Sequence, residues 1–145
     1  MRRPIKHPDQ LDLRILEMLR KDGRMRYAEI ARLLKKSPGI IKRRIEIMRD
    51  QGIIKEFRVV PDWSKLGYHV HAFVGIVADP ARVSAIYNQL KKLGDAIQAI
   101  YITSGRFNIL LELRARDIGD LRDQLMNRIY NIDGIRHIET FLVLS

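Results

Sequence analysis

The chain has 145 residues, no cysteine and a formal net charge of +10. The lack of cysteine excludes a disulfide framework and thiol chemistry, and no stretch approaches the roughly 18 apolar residues of a membrane span. The charge is uneven: residues 1–60 hold 17 Lys and Arg against 8 Asp and Glu, and residues 61–145 hold 10 against 9. The first part therefore predicts a surface for a polyanion, with nucleic acid as the first candidate. A membrane surface and a merely solvated basic face are the alternatives.

Three helices are predicted in the first sixty residues. Apolar residues recur at helical spacing from about Asp9 to Lys21 and from Arg26 to Leu34. A third helix is predicted from Ser37 to about Gln51, since Ser37 can cap its N-terminus and Pro38 suits the first helical position. After it, the β-branched segment from Ile53 to Val60 predicts a strand.

The third helix is basic and amphipathic. Ile41, Ile45 and Met48 form one apolar stripe, which predicts the side that faces a core. Only Lys35 and Lys36 separate this helix from the preceding one. Two helices on so short a turn, with the second capped and basic, are typical of a helix-turn-helix DNA reader.

The exposed positions near the start of the third helix predict its contacts with DNA. Base edges are expected to meet five residues, namely Gly39, Ile40, Lys42, Arg43 and Glu46. Phosphates are expected to meet Lys36, Ser37 and Arg44. Arg43 could form paired hydrogen bonds with guanine or could contact a phosphate, and the sequence does not distinguish the two. Ile40 could likewise pack against a thymine methyl group or against the protein core.

A break is predicted at residues 61–67, which are rich in Pro, Asp, Ser and Gly. It separates a DNA-binding domain, residues 1–60, from a second domain, residues 68–145. The second domain alternates strands with helices capped by Asp79 and Asp117, and its strands are predicted at 68–77, 96–103, 107–115 and 135–144. The order βαββαβ predicts a ferredoxin-like α+β fold.

One face of the predicted sheet carries no helix. Phe73, Gly75 and Val77 lie on that face, and Phe141 and Val143 are expected to join them. An apolar sheet face without a cover requires a partner, and each domain is small for independent stability. We therefore expect at least a homodimer.

Short motifs stand in a fixed order along the chain, from Leu11 to its end. They are LDLRIL at 11–16, DGR at 22–24, EIA at 29–31, SP at 37–38, RI at 44–45, QGII at 51–54, LG at 66–67, TSGRFN at 103–108 and ETF at 139–141. In this order and spacing, the motifs resemble those of the Lrp/AsnC, or feast/famine, family of transcriptional regulators.

The resemblance implies a winged helix-turn-helix domain followed by a ferredoxin-like RAM domain. It also implies a DNA-binding transcriptional regulator that dimerises through the RAM domain and often assembles dimers into octamers. A dimer would read a pseudo-palindromic operator in double-stranded DNA. A small molecule, usually an amino acid, would bind between RAM domains of neighbouring subunits.

An effector site is expected around the turn at residues 104–106. Gly105 can expose backbone N–H groups to a carboxylate, and Arg106 can pair with that carboxylate. The remaining expected contacts are polar side chains, namely Thr103, Ser104, Asn108 and Thr140. The alternative is an ordinary hairpin turn with a solvated arginine.

Two positions depart from the family pattern. Lys35 stands where the family usually has glycine in the turn, and a left-handed lysine is unfavourable by about 1 kcal/mol. Asn108 stands where the family usually has aspartate, and an amide lacks the charge to pair with an α-ammonium group. Another residue then supplies that contact, or the ligand differs, or no ligand is sensed.

Two other functions are compatible with parts of the sequence. A ligand-independent, DNA-organising protein is the main alternative. A decarboxylase-like enzyme on a similar scaffold would use histidines such as His69 and His71, but no third ligand stands at clear spacing. We expect no catalytic residue, no metal and no cofactor besides the effector. Since residues 1–6 lack the apolar core of a signal peptide, we expect a cytoplasmic protein that does not act at a membrane.

Overall fold

The structure, a computed structural model, describes residues 7–144. The chain forms two compact units that divide between Val60 and Pro61. Residues 1–6, on which the expectation about a signal peptide rests, lie outside the described residues.

The first unit consists of three helices: α1 (Gln10–Lys21), α2 (Tyr27–Leu34) and α3 (Pro38–Asp50). Asp9 caps α1 in a reciprocal capping box with Asp12. Ser37 caps α3, and its Oγ accepts a hydrogen bond from the Ile40 N–H at 3.3 Å. The apolar stripes of the three helices meet in one core, formed by Ile15, Leu19, Ile30, Ala31, Ile41, Ile45 and Met48.

The turn between α2 and α3 contains a left-handed lysine. Lys35 has φ 54° and ψ 48°, and it is the one non-glycine residue with positive φ in the described chain. The Lys36 N–H donates to the Ala31 carbonyl at 2.9 Å, which closes the end of α2. The turn therefore keeps the helix-turn-helix conformation, with a strained residue where glycine would be relaxed.

The predicted strand from Ile53 to Val60 is wrong. Gly52 ends α3 with φ 71°, and the N–H groups of Ile53 and Ile54 both donate to the Met48 carbonyl, at 2.8 and 3.0 Å. Residues 55–60 belong to no strand. The β-branched composition of this segment suits a pleated sheet, but among the described residues no other strand pairs with it.

The second unit is a four-stranded antiparallel sheet with helices on one face. Its strands are β1 (Val70–Ala78), β2 (Ile97–Ile102), β3 (Ile109–Ala115) and β4 (Ile135–Leu142), in the order β2-β3-β1-β4. The helices are α4 (Val83–Lys91) and α5 (Ile118–Asp123), and α5 continues as a wider π-helical turn over Gln124–Ile129. This βαββαβ arrangement confirms the predicted ferredoxin-like α+β fold.

The side chains of β1 alternate between the two faces of the sheet. Ala72, Val74 and Ile76 are fully buried against α4 and α5, together with alternate residues of β3. On the other face, the Phe107 ring occupies the space above Gly75, where a Cβ would lie 2.7 Å from three ring atoms. This close approach explains why glycine stands in the middle of a central strand.

The face of the sheet away from α4 and α5 is called here the open sheet face. It is less apolar than predicted, because charged residues of β3 and β4 accompany the aromatic side chains. Its members are His71, Phe73, Gly75, Val77, Ala99, Tyr101, Phe107, Leu110, Glu112, Arg114, His137, Glu139 and Phe141.

Candidate DNA interface and ligand loop

The N-terminal half of α3 presents a polar surface opposite its buried stripe. Ile41, Ile45 and Met48 are at most 1% exposed and hold the helix against the core. All five residues predicted to meet base edges are exposed, and so are Lys36 and Ser37. Ile40 is 45% exposed and lies outside the buried cluster, so its core-packing alternative is wrong.

The cations of α3 differ in their partners. Lys42 pairs with Glu46 one turn later at 3.9 Å, and both side chains are well exposed. The other ion pairs of α3 involve Arg44, so Arg43 takes part in none among the described residues. Arg43 and Arg49 are therefore the exposed arginines of α3 without an acidic partner among the described residues, and of the two only Arg43 lies in the N-terminal half of the helix.

Arg44 is held within the first unit. Its Nη1 donates to Asp9 Oδ2 at 2.5 Å and lies 3.2 Å from both carboxylate oxygens of Asp12. The hydrogen bond from Arg44, followed by that from the Asp12 backbone N–H, lowers the pKa of Asp9 from 3.8 to about 2. The same hydrogen bond to Asp9 raises the pKa of Arg44. This geometry does not favour the predicted phosphate contact, because the guanidinium already has two carboxylate partners.

In the second unit, the loop from Thr103 to Asn108, here the ligand loop, joins β2 to β3. Thr103 Oγ1 donates to the Phe107 carbonyl at 2.8 Å, and the Thr103 N–H donates to the Asn108 carbonyl at 3.0 Å. Gly105 has φ 125°, a conformation that only glycine adopts without strain. The predicted tight turn is thus a six-residue loop that is closed by its own hydrogen bonds.

Asn108 ties the ligand loop to β1. Its Oδ1 accepts a hydrogen bond from the Ala78 N–H at 2.8 Å, and its backbone N–H donates to the Ile76 carbonyl at 2.9 Å. The register of β1 with β4 shifts between Val77 and Ala78, so the amide oxygen satisfies a backbone donor beside this irregularity. The structure therefore gives Asn108 a structural role that needs an acceptor oxygen but no charge.

Arg106 pairs with a residue that sequence reasoning missed. Its Nη2 donates to Glu139 Oε1 across the open sheet face, and His137 Nε2 lies 3.4 Å from the same oxygen. The Glu139 side chain is 24% exposed, whereas that of Arg106 is 73% exposed. The ETF motif contains Glu139 but does not indicate this contact, because its partner is 33 residues away in the chain.

Thr140 does not join the ligand loop on the open sheet face. It stands opposite Val74 in the register of β4 with β1, and Val74 points into the core beneath α4 and α5. Residues directly opposite in an antiparallel pair lie on the same face. Within one chain, the predicted effector set is thus split: Thr103–Asn108 stays together and Thr140 lies on the other side of the sheet.

A second polar cluster lies farther along the open sheet face. His71 Nε2 lies 2.8 Å from Glu112 Oε1, and Arg114 Nη2 lies 3.9 Å from the same oxygen. The Nε of Arg114 is buried and has no hydrogen-bond partner among the described atoms. His71, which the enzyme alternative required, is thus bound to a carboxylate, and no group of three or more metal-binding side chains occurs within residues 7–144.

Comparison with known proteins decides the family. A family model described as winged helix-turn-helix DNA-binding matches residues 8–55, and one described as the Lrp/AsnC ligand binding domain matches residues 71–145. The chain belongs to the Lrp/AsnC family. As a member, it is a DNA-binding transcriptional regulator.

Curated relatives cover nearly the whole of this Lrp/AsnC protein. It is 38% identical over 138 residues to the regulatory protein AsnC of Haemophilus influenzae, covering 94% of this chain and 91% of that protein. It is 37% identical to AsnC of Escherichia coli K12, with 94% and 90% covered. An uncharacterised helix-turn-helix transcriptional regulator of Pyrococcus abyssi is 32% identical, with 94% and 86% covered.

Solved structures share the architecture. Escherichia coli AsnC superposes with a TM-score of 0.87 at 35% identity, covering 97% of this Lrp/AsnC protein and 94% of that chain. A Neisseria meningitidis regulator in complex with L-methionine has a TM-score of 0.87 at 18% identity, with 95% and 90% covered. The latter likeness concerns the fold alone. Within residues 7–144, no helix combines the length and apolarity that crossing a membrane requires.

Proposed function

We propose that this Lrp/AsnC protein reads a pseudo-palindromic DNA operator as a homodimer, with the N-terminal half of α3 in the major groove. One observation carries the proposal: the surface of α3 opposite its buried stripe is exposed and carries Arg43 without an acidic partner among the described residues. A recognition helix meets base edges with the residues of its first turns. The DNA-binding domain comprises residues 1–60, the linker 61–67 and the RAM domain 68–145.

Each α3 residue has a distinct expected contact. Arg43 donates two hydrogen bonds to guanine, and Ile40 packs against a thymine methyl group. Gly39 lets the helix approach the groove closely, whereas Lys42 and Glu46 extend to base edges farther along it. Lys36 and Ser37 lie at the N-terminus of α3, where the helix dipole favours a phosphate.

The homodimer forms through the open sheet face. Phe141 is 47% exposed there, and its ring packs edge-on against Phe107 at 6.0 Å. Covering these rings removes apolar surface from water, which favours association. Two subunits then present two α3 helices to half-sites about 34 Å apart, or a multiple of that distance. Because its proposed target is double-stranded DNA, the protein is expected to act in the cytoplasm.

An amino acid bound at the ligand loop, between RAM domains of neighbouring subunits, regulates this binding. The exposed Ser104–Arg106 segment and the positive φ of Gly105 supply donors for a carboxylate. Thr140 contributes from a neighbouring subunit, since in its own chain it lies on the other sheet face. Solved regulators of the same fold from Neisseria meningitidis and Mycobacterium tuberculosis hold L-methionine. Further assembly of dimers into octamers is what the resemblance to the family implies.

Operator selection from random duplex DNA tests the first part of the proposal. We expect a pseudo-palindromic site, and we expect R43A to weaken binding by about 1–3 kcal/mol, unequally across operator variants. R49A is the matched control, because Arg49 is an exposed arginine in the last turn of the same helix. Equal losses on all sequences would place Arg43 on the phosphate backbone. No affinity for any duplex at low salt would overturn the proposal.

A thermal-shift screen of the twenty amino acids tests the effector. Bound ligand raises the unfolding midpoint by mass action, so at least one amino acid should raise it in a concentration-dependent way. A flat response to all twenty would favour a ligand-independent DNA-organising protein. That second function is supported by Thr103 and Asn108, whose side-chain oxygens are already hydrogen-bonded within the chain.

A further inference from the structure

We propose that Arg106 and Glu139 together recognise the two charges of a free α-amino acid, with Arg106 taking the carboxylate and Glu139 taking the ammonium group. The inference rests on the proposed effector function and names the residue that replaces the usual aspartate. Some polar groups of the ligand loop are already hydrogen-bonded within the chain, whereas others remain available to a ligand.

Two polar residues of the ligand loop are held by the chain itself. Asn108 directs its only side-chain acceptor at the Ala78 N–H, and Thr103 donates to the Phe107 carbonyl. The Asn108 amide also has no charge, so it cannot form the ion pair that an ammonium group needs once it leaves water. Among the described residues, the carboxylate that contacts a side chain of the ligand loop is that of Glu139, which accepts a hydrogen bond from Arg106.

The two partners differ in how firmly they are held. Glu139 lies on β4 opposite Gly75, and its side chain is largely buried. Arg106 lies on the loop, and its side chain is mostly exposed. The anion is therefore fixed by a strand, while the cation can turn on its long flexible stem.

An amino acid can replace this pair without leaving a charge unpaired. Arg106 releases Glu139 and donates to the ligand carboxylate, and the ligand ammonium takes the vacated position beside Glu139. Two charge-assisted contacts replace one, and His137 at 3.4 Å remains next to the carboxylate throughout. Gly105 faces open space, since apart from its chain neighbours Ser104 and Arg106 nothing lies within 4 Å of the position where a Cβ would stand.

This arrangement predicts recognition of the amino-acid backbone rather than of one side chain. Removing either ligand charge leaves Arg106 or Glu139 facing a neutral group, so N-acetyl and carboxamide derivatives should bind at least about tenfold more weakly than the free amino acid. Side-chain preference is then decided by other residues around the loop.

Calorimetric titration of the full-length protein tests the pair. The probes are the twenty L-amino acids and, for each that binds, its N-acetyl and carboxamide derivatives. We expect E139Q to lose at least about tenfold in affinity for the amino acid while affinity for the N-acetyl derivative stays within about twofold. R106Q should show the complementary pattern, with affinity for the carboxamide unchanged.

R136Q is the matched control, because Arg136 is another exposed arginine in an ion pair of the same unit, 3.4 Å from Asp79. It should bind amino acids as the wild type does. The exchange R106E/E139R keeps an ion pair between the two positions but reverses its direction, so it should not restore binding.

The outcomes separate this inference from the effector proposal. If the wild type binds an amino acid and E139Q binds it equally well, the charge pair is wrong and the effector function stands. If no amino acid binds the wild type, both fall. If E139Q does not fold, the affinities of the wild type for an amino acid and for its two derivatives decide the question. Equal affinities for all three would overturn the proposed roles of Arg106 and Glu139.

Discussion

The guanidinium of Arg44 in α3 lies 2.5 Å from the carboxylate of Asp9, the residue that caps α1. The two residues are 35 positions apart in the chain. Asp9 accepts this hydrogen bond while it also accepts from the Asp12 N–H as part of the capping box. One carboxylate thus caps the N-terminus of α1 and also binds α3, which holds the proposed recognition helix in a defined orientation within its unit.

The ion pair between Arg44 and Asp9 should make the first unit sensitive to acid. The folded pKa of Asp9 is about 2 and its ordinary value is 3.8, so between these values the unfolded chain binds more protons. The stabilisation is therefore fully present above about pH 4 and is lost as pH falls towards 2. We expect R44A to lower the urea midpoint, measured by far-UV circular dichroism, more at pH 6 than at pH 2. K42A, which breaks only an exposed pair, should show little pH dependence, and an equal effect of R44A at both pH values would contradict the assignment.

Replacing Lys35 with glycine should stabilise the protein. Lys35 adopts φ 54° and ψ 48°, where a Cβ is unfavourable by roughly 1–2 kcal/mol and glycine is relaxed. The greater freedom of glycine in the unfolded chain offsets part of this, so the expected gain is about 1 kcal/mol in the free energy of unfolding. Urea titration with an unchanged m-value checks it. K35A removes the same charge but keeps a Cβ, so a comparable gain there would assign the effect to charge rather than to backbone strain.

Replacing Gly75 with alanine should disrupt the open sheet face. The new methyl carbon would lie 2.7 Å from Phe107 ring atoms, and overpacking of this kind is destabilising by about 1–3 kcal/mol. Denaturant unfolding of G75A, F107A and the double variant measures the coupling. We expect the double variant to lose less stability than the sum of the two single losses, because the ring that meets the methyl is gone. Simple additivity would show that the two residues do not compete for the same space.

Lys36 and Arg43 should affect DNA binding in different ways. If Lys36 contacts a phosphate, K36A should weaken binding nearly equally on all sequences and make the slope of log K against log salt shallower by about 1. R43A should instead change the ranking of operator variants. Fluorescence anisotropy over a range of salt concentrations measures both. A sequence-dependent loss for K36A would place its side chain at a base edge.

Local patterns in the sequence predicted most of the secondary structure. The stripe of Ile41, Ile45 and Met48, the Ser37 cap and the alternation along β1 all reappear in the structure. Each depends on residues within a few positions of one another, so periodicity and capping chemistry are sufficient to predict it. The segment from Ile53 to Val60 was predicted wrongly because a strand also needs a neighbour, which composition does not reveal.

The site residues were predicted less completely, since their roles depend on distant partners. The sequence predicts that Arg44, a basic residue of α3, contacts a phosphate, but in the structure it pairs with Asp9 and Asp12. The sequence predicts that Asn108 contacts the effector without a charge, but in the structure its side-chain oxygen accepts a hydrogen bond from the Ala78 N–H. Glu139 belongs to the closing ETF motif, but its proposed role follows only from its contact with Arg106.

Composition, periodicity and motif order were sufficient to predict a basic helix-turn-helix, an α+β second domain and membership of the Lrp/AsnC family. Those features are encoded in short windows or in the order of such windows along the chain. The partner of each charged side chain was settled by folding, because helix packing and strand register bring together residues more than thirty positions apart. Whether a cation such as Arg43, Arg44 or Arg106 is available to an external anion depends on those partners. Its function can therefore be inferred from the tertiary structure but not from the sequence alone.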